Sequence, residues 1–217
     1  MEFVSSEIGQ SLQLIHMDEV RPLRGGTFVP DMVAELVRRY RFQSFPTKVE
    51  PNQPAKFEYG VREFGGITIP IGSLEVYTDG ILVNTINTDD SDAILDDFLP
   101  WALELFKLRE PRTWLPRRYQ SRIIVDFGNS AGETFFKNFV DLGKIVTRTF
   151  GSERDLGITQ ISFGPHPAGE LPYLYTWTFQ PRVGQPYVPN RYFSAAPLST
   201  PVHFEMLVAL EAAANEH

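Results

Sequence analysis

Two periods alternate along the chain, and each marks a different kind of element. Val33, Leu36, Val37 and Tyr40 recur at helical spacing behind Pro30 and Asp31, which suit a first turn. Arg38, Arg39 and Arg41 sit where the helix dipole favours cations, and Pro46 closes the element. Phe57, Tyr59 and Val61 alternate with Lys56, Glu58 and Arg62, which predicts a half-exposed strand ending at the Gly65-Gly66 turn. The clearest signal comes next: a strand Ile67–Tyr77, a tight turn Thr78-Asp79-Gly80 and a return strand Ile81–Asn87. Asp-Gly between β-branched runs favours a hairpin because both residues tolerate positive φ. Leu74, Val76, Ile81 and Val83 are the inward candidates, and Pro70 confines the early strand to an edge or a bulge. Thr88 then caps an acidic helix, Asp89–Leu108, whose apolar row is Ile94, Phe98, Trp101, Leu105 and Leu108. Pro100 inside it predicts a kink or a break into two helices.

The flanking regions repeat these patterns. Ser11–Met17 alternates in part as a strand, and Arg21-Pro22-Leu23-Arg24-Gly25-Gly26 is a loop. Gln120–Phe127 is a strand. Ser130 to Glu133 matches a capping box and opens a helix with Phe135, Phe136, Phe139, Leu142, Val146 and Phe150. Gly157–Phe163, Leu171–Phe179 and Tyr192–Ala195 are strands, and a last helix starts at Thr200 with Pro201 behind its cap. Tyr173, Tyr175, Trp177 and Phe179 share one strand face, suited to a core or to an interface. The succession predicts an α+β fold: a largely antiparallel curved sheet with helices packed on one side. It forms a single domain over 1–217, within which two βαβββα halves, 1–110 and 111–217, repeat in element type without sequence identity.

Composition then narrows the function classes. The chain has no cysteine, which removes disulfides and thiolate chemistry. The four histidines form no zinc motif, Asp89, Asp90 and Asp92 lack the rest of a calcium loop, and neither Gly-Gly pair has a phosphate-loop context. No metal and no cofactor is therefore expected. The N-terminal residues lack a basic region followed by an apolar run, and no apolar stretch is long enough to span a bilayer, so a cytoplasmic protein without membrane contact is expected.

Charge changes the picture most. Residues 89–104 hold Asp89, Asp90, Asp92, Asp96, Asp97 and Glu104 with no Lys or Arg. Residues 107–122 carry a net +5 in a chain of net −7. Trp114 and Tyr119 lie among those arginines. Arginine with aromatics suits a partner surface, and the overall negative charge favours a protein over nucleic acid. The expected contact residues are Arg112, Trp114, Arg117, Arg118 and Tyr119, opposed by Asp92, Asp96 and Asp97. The same residues equally fit an internal clasp. The leading reading is a soluble, non-enzymatic interaction protein, of a binding, accessory or immunity-like kind, that binds a protein partner or itself. The alternative is a small hydrolase-type enzyme with a pocket on the concave sheet face, using His203 as base, Asp126 as orienter and Ser199 or Ser194 as nucleophile. It lacks a nucleophile-elbow motif.

Overall fold

A computed structural model describes residues 1–15, 19–20, 29–48, 53–128, 140–150, 159–164, 176–182 and 190–215. The predicted features at His16, 21–26, 130–139, 151–157, His166, Tyr173, Tyr175 and His217 lie outside them. The described elements run β1 Glu2–Leu14, α1 Val29–Tyr40, β2 Ala55–Phe64, β3 Ile67–Val76, β4 Gly80–Thr85, α2 Thr88–Leu105, β5 Arg118–Asp126, α3 Val140–Phe150, β6 Ile161–Phe163, β7 Trp177–Pro181, β8 Arg191–Ala196 and α4 Thr200–Asn215. The fold is α+β with an eight-stranded antiparallel sheet of order β2-β3-β4-β1-β5-β8-β7-β6. Two compact units divide the chain, one of Ile8–Ser121 and one of Met1–Glu7 with Arg122–His217.

In the unit of Ile8–Ser121 the helical stripes and strand faces converge on one core. Leu36 and Tyr40 of α1 join Ile94, Leu95, Phe98, Leu99 and Ala102 of α2 against Phe57, Ile69, Ile71, Leu74, Ile81 and Val83 of the strands. Each fully buried Leu, Ile or Phe contributes about 2–3 kcal/mol. Leu74 lies opposite Val83 and Val76 opposite Ile81, so the hairpin register turns the same side chains inward that alternation predicts. Pro70 falls where β3 pairs with β2 alone, since β4 joins only from Ser73 onward. The other unit has its own core: Ile123, Val125, Phe127, Phe179, Tyr192 and Leu207. Trp177 and Phe179 pack there, Phe179 stacking on Tyr192 with ring centroids 4.7 Å apart.

Several local expectations are corrected. Asn87, not Thr88, caps α2: it is extended, and its side-chain oxygen accepts from the Asp90 N–H at 2.8 Å. Thr88 is fully buried as the first helical residue. Pro100 lies inside α2 on its exposed side, and the helix runs through it to Leu105 rather than splitting in two. The buried face of α2 follows the 3.6-residue period through Leu95 and Leu99, leaving Leu105 exposed. The Asp79-Gly80 turn uses no positive φ; Gly65 and Gly66 do, at 54° and 90°. Tyr59 also has positive φ, 57°, so its side chain leaves the inward row and is 64% exposed.

β1 carries an unexpected buried row, Gly9, Ser11 and Gln13. It lies under the start of α2. Ser91 donates to the Gly9 carbonyl at 2.8 Å, and Thr85 Oγ1 meets Ser91 Oγ at 2.9 Å. A Cβ at Gly9 would overlap the backbone of Asn87 and Thr88. Gly9→Ala should therefore cost about 3 kcal/mol of stability, read as a lower urea midpoint. An unchanged midpoint would show that α2 does not approach β1 so closely.

Candidate interaction site

The acidic helix α2 turns two rows of carboxylates outward, and the fold supplies a different set of donors to each. Asp97 accepts from Arg39 through two bonds of 3.1 and 2.7 Å, from the Tyr40 hydroxyl at 2.8 Å and from Arg62 at 3.0 Å. Burial works to raise the Asp97 pKa, but the hydrogen bonds from Arg39, Tyr40 and Arg62 overcome it and hold the carboxyl below its ordinary value. The Arg39 guanidinium also stacks over Trp101 at 4.7 Å.

On the adjoining face, Asp96, next to Asp97 in sequence, and Asp92, one turn before it, face the basic segment. Arg117 reaches Asp92 at 3.1 Å and makes a short contact with Asp96. The Tyr119 hydroxyl donates to Asp92 at 3.1 Å. Burial works to lower the Arg117 pKa, and its two carboxylate partners more than offset that. Gln13 completes the arrangement from β1. Its amide nitrogen donates to the Leu14 and Leu115 carbonyls, and its oxygen accepts from Arg117 Nε at 3.3 Å. Arg117, Tyr119, Asp92 and Asp96 are thus joined within the chain, and Asp97 is joined to α1 and β2.

Arg112, Trp114 and Arg118 remain exposed. Neither arginine side chain has an ion pair among the described residues. Trp114 is 39% exposed and lines a groove of about 660 Å³ between α2 and the segment that follows it. Leu99, Leu103 and Leu108 also line it, with Glu104 and Glu110. Sequence reasoning missed Gln13, Glu104 and Glu110 here. Gln13 looks like an outward strand residue, and the place of β1 beside β5, which Arg117 immediately precedes, brings it under Arg117.

The alternative catalytic residues fall in the other unit. His203 Nε2 lies 2.8 Å from Ser194 Oγ, and both residues are fully buried. Ser194 also accepts from Trp177 Nε1 at 2.8 Å. Burial alone lowers the His203 pKa from 6.5 to about 4. Ser199 meets His203 through its backbone carbonyl, which accepts the His203 N–H at 2.8 Å. Asp126 is held by Arg191 through two bonds of 2.7 Å each. Among the described residues no group of three or more His, Cys, Asp or Glu is placed to hold a metal ion, and no helix is long and apolar enough to cross a membrane.

Two outcomes follow from this geometry. Arg117→Glu places a carboxylate beside Asp92 and Asp96 and should cost about 1–3 kcal/mol in urea unfolding, whereas Arg118→Glu should change stability by less than about 0.5 kcal/mol. Equal effects would mean that the Arg117 pairs contribute nothing. For His203, the unfolded state takes up a proton as pH falls below 6.5 while the folded state resists until about 4. Its contribution is therefore complete above that window and is lost within it on acidification, by about 3 kcal/mol. His203→Gln should flatten this part of the stability profile; an unchanged slope would assign the acid sensitivity to other groups.

No protein-family model matches this chain, and a search of curated proteins gave no match.

Proposed function

We propose that the protein acts by binding another protein, without catalysis, through the groove beside α2 and the exposed part of the basic segment. The observation that carries this reading is Trp114. It is an aromatic side chain 39% exposed on the wall of a groove of about 660 Å³, flanked in sequence by Arg112 and Arg118, whose side chains have no ion pair among the described residues. Exposed tryptophan and arginine are the residue types that dominate contact energies between proteins. The contact set thereby contracts to Arg112, Trp114 and Arg118, because the other expected residues are committed to one another. Self-association by exchange of the acidic and basic blocks would have to break the Arg117 pairs, which favours a distinct partner. Each unit carries the described succession strand, helix, three strands, helix, which supports reading the chain as a duplication.

The hydrolase reading draws support from the Ser194–His203 contact alone. Complete burial of both residues and the engagement of Asp126 with Arg191 weigh against it.

Photocrosslinking in the protein's own cells tests the binding reading. A benzophenone side chain replacing Thr113, beside Trp114 and exposed, should capture a discrete protein adduct. The same group replacing Tyr59, which is more exposed, should not. Trp114→Ala should suppress the Thr113 adduct. Absence of any adduct, or the same adducts at both positions, would overturn the proposal.

A further inference from the structure

We infer that the α2 groove accepts a cationic, apolar-faced peptide segment of the partner, a conclusion that rests on the binding reading above. Its wall is apolar: Leu99, Leu103, Leu108 and Trp114. Its charged positions are mostly acidic. The carboxylates of Glu104 and Glu110 have no hydrogen-bond or ion-pair partner among the described residues, so both stay available to an incoming cation. The cation in the lining, Arg117, is already held by Asp92 and Asp96. The Gln13 amide nitrogen is spent on two backbone carbonyls. An acidic segment would therefore meet free carboxylates and engaged donors.

A lysine or arginine side chain meets the opposite conditions. Its stem covers apolar surface while its head reaches the carboxylates, and an indole face attracts the cation. The volume of about 660 Å³ lies within the range that holds a few side chains or a small ligand. Leucines of an amphipathic segment would fill the space along Leu99, Leu103 and Leu108, with its basic residues at Glu104 and Glu110.

The test uses the purified full chain and a fluorescein-labelled peptide of leucine and lysine patterned as an amphipathic helix, with binding read by anisotropy. Two control peptides replace every lysine by glutamate or every leucine by serine. The leucine–lysine peptide should bind saturably, the glutamate peptide should not, and the serine peptide should bind at least about tenfold more weakly. The double variant Glu104→Lys, Glu110→Lys should weaken the leucine–lysine peptide by about tenfold or more. If that variant unfolds, Trp114→Ala takes its place with the same expectation. Equal binding of the glutamate or serine peptide, or unchanged affinity in a folded variant, would overturn the inference. If the leucine–lysine peptide fails to bind while the Thr113 adduct persists, the cationic segment is wrong and the binding reading stands. If both fail, both fall.

Discussion

The Asp97 carboxylate is the point on which the unit of Ile8–Ser121 depends. A carboxylate withdrawn from water is costly unless its oxygens are satisfied, and here Arg39, Tyr40 and Arg62 satisfy them from two other elements. Arg39 and Tyr40 come from the last turn of α1 and Arg62 from β2, so one side chain of α2 fixes the position of both. The guanidinium groups have a second purchase, since Arg39 lies over Trp101 and Arg62 over Phe64 at 5.6 Å. The cluster is not fully satisfied: Arg62 Nε is buried without a hydrogen-bond partner among the described residues, a cost carried by the rest of the network. With α2 held at Asp97, its neighbouring carboxylates necessarily face the stretch that returns into β5.

That geometry decides what the charge contrast does. An acidic helix followed at once by an arginine-rich segment is compatible with a sticky surface or with an internal clasp. Arg117 is the residue that separates the two, because it spans Asp92, Asp96 and Gln13 and so pins the segment to both α2 and β1. The clasp holds Trp114 at the groove wall and leaves Arg112 and Arg118 outside it. The paired Arg117 and the exposed Arg112, Trp114 and Arg118 are thus close neighbours in one short segment.

Elements governed by local periodicity were legible in the sequence. The α1 stripe, the β3–β4 pairing of Leu74 with Val83, and a helix starting near Thr200 and Pro201 follow from spacing and local chemistry, although Thr200 is the first helical residue of α4 and the Ser199 carbonyl accepts the first helical bond. Features set by tertiary contact were not. Nothing near Ser11 or Gln13 marks them as buried, since their environment is the start of α2 and the Leu115 carbonyl, far along the chain. Tyr59 fits the alternation of β2, and its positive φ arises at the residue after Glu58, whose backbone pairs with Ser44. The aspartates were identified as a block, but the separation of Asp97 from Asp92 and Asp96 depends on which helix face meets α1.

The contact of His203 with a serine is governed by the hydrogen bonds around the pair. The Trp177 indole can only donate, so Ser194 Oγ must accept from it. Ser194 has one proton to give, to the Thr178 carbonyl at 3.2 Å or to His203 Nε2 at 2.8 Å. If it serves Thr178, the imidazole must itself donate through Nε2, and no base then faces the hydroxyl. If it serves His203, the arrangement has the hydrogen bond of a nucleophile and its base. A nucleophile must also meet its substrate, and both residues are sealed from solvent with a histidine whose pKa has fallen to about 4. The same burial that depresses the imidazole pKa also covers the Ser194 hydroxyl, and the Trp177–Ser194–His203 chain satisfies buried polar groups of β7, β8 and α4, which weighs against the hydrolase reading.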